Sequence, residues 1–343
     1  MIGHLLDVRM VRLAKKTKCT YSRYVDDLTF STNNKKFPKE IAYCSDGEWI
    51  PGDKLTGEVD SVGFKINKKK TSMQYKLLRQ MVTGLVVNRK VNIKKEYYKS
   101  ARAACYNLFN NGEFYFDNNI FRCNGEDCFQ RRLRKLEGIL SYIYYIKKQS
   151  FLKNKKNEEK YQPKSITKLY RQFLCYKYFY CTDKPLIICE GKTDITYLKC
   201  ALKQLSKKYG NLIERNGEEY NFKIVFFPFS KNNKDVFNTP EGTTGQRRIM
   251  EAYEDNFKIF KDKAEKYPVI ILIDNDRGSG PVIGKLPKKK GKSNMPKSFY
   301  HFKGNMYVVE IPKEPGQKDT PIEDLFDKET LGTKVAGRSF KGC

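Results

Sequence analysis

The sequence predicts two domains, an α+β first part and an α/β second part whose mostly parallel sheet is covered by helices on both faces. Two observations carry this. Residues 20–31 form two β-rich runs that flank a pair of acids, and helical periodicity precedes them and returns over 94–149. Beyond a polar, lysine-rich stretch at 153–165, short and almost wholly apolar runs alternate with helical ones, as in parallel strands buried on both faces. The 343 residues are enough for two cores of ordinary size.

Taken in order, Leu5, Leu6, Val8, Met10, Val11, Leu13 and Ala14 predict a helix over 4–16. Thr20–Ser31 predicts a hairpin with Asp26 and Asp27 at its tip. Residues 32–60 read as loop and helix, Gly63–Met73 as a turn followed by a lysine-rich strand, and Val82–Asn88 as another short strand. Helices are expected at 94–110 and 129–149, separated by a glycine- and asparagine-rich segment, and an aromatic-striped helix at 166–181. The second part predicts strands at Pro185–Cys189, Phe222–Phe229, Val269–Ile273 and Met306–Ile311, with helices at Thr193–Lys207 and Thr244–Lys266. No internal repeat is evident. The boundaries expected are 1–92, 93–182 and 183–343.

Composition excludes some classes. A hydrophobic fraction of 39% with 23 Tyr and 22 Phe is too apolar for a disordered chain. No run approaches the ~18 apolar residues of a membrane span, and Asp7 and Arg9 interrupt any leader-like start. A soluble, cytoplasmic location is expected. The net charge of +28 points to a polyanion, because lysines and arginines that contact phosphates release condensed counterions. The first 200 residues hold 40 Lys and Arg against 20 Asp and Glu. Aromatics interleave with the lysines at Tyr97-Tyr98-Lys99 and over 142–148, which suits base stacking. Cys123 and Cys128 could be half of a zinc site, but no second pair follows at a ligand spacing. The ten cysteines fit reduced thiols.

Two constellations carry chemistry. Adjacent carboxylates repel unless a cation neutralises them, and Mg²⁺ takes oxygen ligands of this kind together with substrate phosphates. Asp26-Asp27 alone would read as a solvated turn, but Tyr24-Val25 before it and an apolar β run after it frame it as a site. In the second part, Leu186–Cys189 delivers Glu190 ahead of a glycine turn and helix, and Ile270–Ile273 ends in Asp274-Asn275-Asp276-Arg277-Gly278. In a parallel sheet such acids gather at the carboxyl ends of the strands.

Tyr24-Val25-Asp26-Asp27, with Tyr21-Ser22-Arg23 before it, resembles the polymerase motif of retron-type reverse transcriptases. Gly63-Phe64-Lys65-Ile66-Asn67 with Lys70-Thr71 resembles the next palm motif. Val82–Asn88 resembles the primer-grip segment, and the helix holding Leu136-Glu137-Gly138 resembles the thumb. The resemblance implies a partial right-hand polymerase palm plus a helical thumb. Asp26 and Asp27 would bind Mg²⁺, with Mn²⁺ as an alternative. Tyr24 and Arg23 would lie against nucleic acid, Lys70 would neutralise or protonate the departing pyrophosphate with Lys68 and Lys69 as competitors, and Gly84 would let the backbone approach the primer. Family members carry fingers and a further metal-binding aspartate upstream, whereas only Asp7 precedes Tyr24 here. A truncated or split polymerase is therefore expected, inactive by itself, with its carboxyl end incomplete as well.

Residues 184–343 resemble the TOPRIM domain of topoisomerases, primases and OLD-type nucleases. That implies Mg²⁺ on Glu190, Asp274 and Asp276, with Glu190 also a general acid or base and Asp194 a capping or supporting acid. Glu323, within Pro321–Phe326, is either a further ligand or an acid at a helix start. The lysines at 288–292 read as a solvated, phosphate-facing loop. A retron-type reverse transcriptase fused to TOPRIM implies a retron noncoding RNA as template, its branched RNA-linked DNA product, deoxynucleoside triphosphates as substrates, and an effector role in antiviral defence. Two other classes fit the same residues: a Mg²⁺-dependent TOPRIM nuclease with a palm remnant that only docks nucleic acid, and a non-catalytic structural subunit.

Overall fold

The structure is a computed structural model that describes residues 2–116, 119–122, 127–152, 164–240, 242–261, 267–287, 299–313 and 316–333. It is mixed α/β and divides into two compact units, Met1–Lys94 and Lys95–Cys343. The possible zinc half-site at Cys123 and Cys128, the lysine run at 288–292 and most of the stretch at 153–165 lie outside the described residues or side chains.

The first unit runs α1 (Ile2–Lys16), β1 (Thr20–Tyr24), β2 (Asp27–Ser31), β3 (Ala42–Ser45), β4 (Glu48–Pro51), α2 (Asp53–Asp60), β5 (Met81–Val82) and β6 (Leu85–Val86). Leu6, Met10 and Leu13 recur at helical spacing, so they share one face of α1 and bury it with Ile41, Leu55 and Val59. Tyr21, Leu28 and Phe30 of the first hairpin pack against that cluster, which anchors the hairpin to α1. Leu5, Val8 and Val11, also counted in the expected stripe, are exposed.

Two sequence expectations fail here. The strand expected after Gly63 is instead a 3₁₀ turn, Lys68–Lys70, with all three lysines in solvent. No neighbouring strand pairs with it, and three adjacent like charges favour a solvated turn. The strand expected at Val82–Asn88 is the two-stranded hairpin β5–β6, because Thr83 and Gly84 take φ values of 48° and 82° and turn the chain back. Gly84 is thus required by its turn; a Cβ there would meet nothing within 4 Å.

The second unit begins with α3 (Lys95–Asn111), the hairpin β7 (Glu113–Phe116) and β8 (Asn119–Arg122), α4 (Asp127–Leu152) and α5 (Lys164–Cys175). α5 runs into a π-helical turn, Tyr176–Tyr180, closed by Cys181 N–H on the Tyr176 carbonyl at 2.9 Å. Then come β9 (Leu186–Ile188), α6 (Lys192–Gln204), the hairpin β10 (Ile213–Asn216) and β11 (Glu219–Phe222), β12 (Val225–Phe226), α7 (Lys231–Phe237) and α8 (Thr243–Asn256). β13 (Val269–Ile273), α9 (Gly280–Ile283), β14 (Phe299–Lys303), β15 (Met306–Glu310) and α10 (Lys328–Gly332) complete it.

A five-stranded mixed sheet is ordered β12-β9-β13-β15-β14; all its pairs are parallel except β14 with β15 at one edge. Leu186, Ile188, Val269, Ile271, Ile273, Met306 and Val308 are buried, as near-continuous apolar strands require. Beside them lies an aromatic core of Phe109, Tyr176, Phe179, Tyr180, Tyr253 and Phe260. Buried Asn305 ties the sheet to the π-helical turn, donating to the Phe179 carbonyl at 2.9 Å and accepting from the Tyr253 hydroxyl at 2.9 Å. The expected helix over 244–266 ends at Asn256, and the strand expected over 222–229 shrinks to Val225–Phe226 because Phe222 pairs with Ile213 in the preceding hairpin.

Candidate functional site

The first candidate is the tip of β1–β2. Tyr24 pairs with Asp27, leaving Val25 and Asp26 as a two-residue turn. Val25 has φ 53°, a left-handed conformation that a β-branched side chain seldom adopts, and it is 71% exposed beside a Tyr24 that is 64% exposed. Nothing apolar holds this turn in place. Arg23 does so instead: its Nη1 donates to the Val25 carbonyl at 2.6 Å, while Nε and Nη2 grip the two carboxylate oxygens of Asp7 on α1 at 2.7 and 2.8 Å. The Tyr21 hydroxyl donates to the same carboxylate at 2.8 Å. The Arg23 guanidinium therefore holds the Asp7 carboxyl at about 2, well below the usual carboxylate range, and burial together with Asp7 pushes the Tyr21 phenol up.

Asp26 and Asp27 are both exposed and present their carboxylates to solvent. Arg23, expected to contact nucleic acid, has Nε and Nη2 committed to Asp7 on α1 and Nη1 to the Val25 carbonyl of its own hairpin. Asp7, noted in the sequence only as the acid ahead of Tyr24, is the group to which the structure ties Arg23 and Tyr21. Its signal was available: an acid on α1 with an arginine and a tyrosine on alternate positions of the next strand. Lys68, Lys69 and Lys70 form one exposed basic turn, and Gly84 lies at the tip of a different hairpin.

The second candidate lies at the carboxyl ends of β9 and β13. Glu190 leaves β9 just before α6, whose first turn is closed by Gly191 N–H on Asp194 Oδ2 at 2.9 Å. Asp194 thus caps α6. Asp274 leaves β13, and Asn275 pairs through its backbone with Thr320 (3.1 and 2.9 Å), which brings the segment carrying Glu323 to the strand end. Asp276 caps the turn after it, accepting from Ser279 N–H at 3.1 Å. A Cβ on Gly278 would come within 3.1 Å of Asp276 Oδ1, so the glycine leaves room for the carboxylate. The start of α8 completes the rim, with Gly242 beside Glu190 and the Thr243 hydroxyl donating to the Gly278 carbonyl at 2.6 Å.

Burial raises Glu190 to about 7, and Asp274, Asp276 and Asp194 push the same way. Asp274 rises to about 6, first through burial and then through Asp194, Asp276 and Glu323. Among the described residues no lysine or arginine lies within ion-pair distance of these acids. Like charges held together without a counter-ion are costly. A hard divalent cation suits this donor set of carboxylate oxygens. Among the described residues no three His, Cys, Asp or Glu side chains are close enough to hold one ion together, so the carboxylates would have to turn inward to ligate it.

About a third of the chain is homologous to retron reverse transcriptases. The relatives include the retron Mx162 reverse transcriptase of Myxococcus xanthus, 35% identical over 108 residues (30% of this chain, 22% of that protein). The retron Ec86 reverse transcriptase of Escherichia coli is 34% identical over 110 residues (32% and 31%), and the retron Mx65 reverse transcriptase of Myxococcus xanthus 28% over 138 residues (40% and 26%). The matched stretch thus spans 22–31% of these relatives' length. No family model matches the chain, and no solved structure matches it. No helix among the described residues is long and apolar enough to cross a membrane.

Proposed function

We propose that the first unit is palm structure of a retron-type RNA-directed DNA polymerase. Its template would be a retron noncoding RNA, its product RNA-linked DNA and its substrates deoxynucleoside triphosphates. The observation that supports this best is the exposed hairpin tip, where a strained turn presents Asp26 and Asp27 side by side within a chain partly homologous to retron reverse transcriptases. Bound Mg²⁺, or Mn²⁺, would supply charge to activate the attacking hydroxyl and stabilise the leaving pyrophosphate. Asp26 and Asp27 would hold the ions, exposed Tyr24 would lie against the primer end, and the Lys68–Lys70 turn would attract phosphate. In cells that carry the native locus, RNA-linked DNA should be produced and should disappear in Asp26→Asn. Its persistence in that variant would refute the reading.

Residues 183–343, the later part of the second unit, we read as a TOPRIM-like, Mg²⁺-dependent effector acting on phosphodiesters in antiviral defence, with 93–182 as thumb and connector. Support comes from Glu190, Asp274 and Asp276 at the carboxyl ends of neighbouring parallel strands, with no lysine or arginine among the described residues paired to them and with burial raising Glu190 and Asp274 toward the protonated form. Glu190, near neutral in its proton affinity, suits general acid or base work. Metal-dependent cleavage of DNA or RNA that is lost in Asp276→Asn tests it. Cleavage that survives neutralising Glu190, Asp274 and Asp276 together would exclude this site.

A further inference from the structure

The hairpin tip is held by a socket that spans two elements. On α1, Gly3 and Asp7 stand one turn apart and so share a face; on β1, Tyr21 and Arg23 alternate onto one side of the strand. The guanidinium sits between them. A Cβ on Gly3 would come within 2.9 Å of Nη2 and 3.3 Å of Cζ of Arg23, so the glycine makes space for the group. Asp7 binds it through both carboxylate oxygens, and its remaining nitrogen reaches the Val25 carbonyl. Because guanidinium is a planar fork, fixing two of its nitrogens fixes the direction of the third. The third meets the carbonyl of Val25, the residue held at positive φ.

We infer that Asp7 and Arg23 are positioning residues that lock the Val25 turn and thereby set where the Asp26 and Asp27 carboxylates stand. The consequence for metal binding rests on reading Asp26 and Asp27 as ligands; the conformational claim does not. Without the clamp, Val25 relaxes toward the extended conformations that β-branched residues prefer, and the two carboxylates lose their fixed relation. Lysine cannot replace Arg23, since one ammonium cannot span a carboxylate and a carbonyl in that geometry.

The test uses the full chain in a Glu190→Gln, Asp274→Asn background, so that Mn²⁺ reports on the hairpin. Backbone and Cβ resonances of isotopically labelled valine report the Val25 conformation. In Asp7→Asn and Arg23→Lys, the Val25 signals should move from left-handed to extended values, and Mn²⁺ affinity should fall by roughly ten-fold or more, as when a ligand's supporting hydrogen bond is lost. Adding Val25→Gly to Arg23→Lys should restore much of that affinity, because glycine reaches positive φ without strain. A purely structural role would not be rescued in this way. Unchanged Val25 signals in both variants would overturn the inference. If Asp26→Asn binds Mn²⁺ as well as its parent, the polymerase reading of the acids fails, while the valine signals still decide the clamp.

Discussion

Gln246 on α8 donates its side-chain Nε2 to the Leu272 carbonyl at 2.7 Å and also reaches the Ile188 carbonyl at 3.2 Å. These carbonyls lie two residues before Asp274 and Glu190, so one amide holds the ends of two neighbouring strands just where they hand over to the acids. Gln246 is 1% exposed, and its helix begins beside Glu190. The separation of the carboxylates is therefore set from a third element.

Gln246→Leu keeps the bulk and removes the donor. Two buried carbonyls then lose a partner, at about 1–3 kcal/mol each. Urea melts should show a loss of about 2–6 kcal/mol, and the divalent-ion stabilisation of the protein should weaken. Full retention of both would mean that the strands hold the acids unaided.

Proton affinity at the second site predicts how its metal binding depends on pH. Glu190 and Asp274 have folded-state values of about 7 and about 6, above their ordinary range. The stability they contribute without metal is complete in acid and is lost as pH rises through those values. An ion that binds the charged forms competes with the protons. The melting-temperature gain from Mg²⁺ should therefore be small near pH 5 and grow through roughly pH 6–8. A gain independent of pH would place the ion elsewhere.

At the hairpin, two carboxylates face solvent and the nearby Asp7 is committed to Arg23. Two-ion phosphoryl transfer needs more ligands than Asp26 and Asp27 supply. The purified 343-residue chain should therefore extend no primer on an RNA template with Mg²⁺ above background. Robust processive synthesis would show that another group completes the site.

Lys65, Lys68, Lys69 and Lys70 are exposed, so their contribution to RNA binding should be electrostatic. Affinity for an RNA hairpin should fall steeply with salt. Replacing Lys68, Lys69 and Lys70 by alanine should flatten the log–log slope by about 2–3 if each neutralises one phosphate. An unchanged slope would move the interface to another surface.

Much of the architecture could be read locally. Leu6, Met10 and Leu13 announce α1; Leu186–Ile188 and Val269–Ile273 announce buried strands; Asp-Asp after Tyr24-Val25 marks a turn with acids at its tip. Where local signals were ambiguous, the reading failed. The lysines at 68–70 follow β-branched and aromatic residues but have no partner strand, and Thr83-Gly84 divides one expected strand into two. The hairpin β10–β11 and the edge strand β14 were not anticipated, since short, half-exposed strands carry little periodicity.

By itself the sequence determined where acids are concentrated: two at a hairpin tip, and three just beyond apolar strands. Hydrophobic spacing and turn chemistry act over a few residues, so they can be read along the chain. Only the tertiary structure decided that Arg23 serves Asp7 and Val25, that Gln246 braces strands 26 and 58 residues away, and that burial raises the proton affinity of Glu190 and Asp274. Burial and long-range hydrogen bonds depend on which surfaces meet after folding, and the same side chains in a different packing would carry ordinary charges.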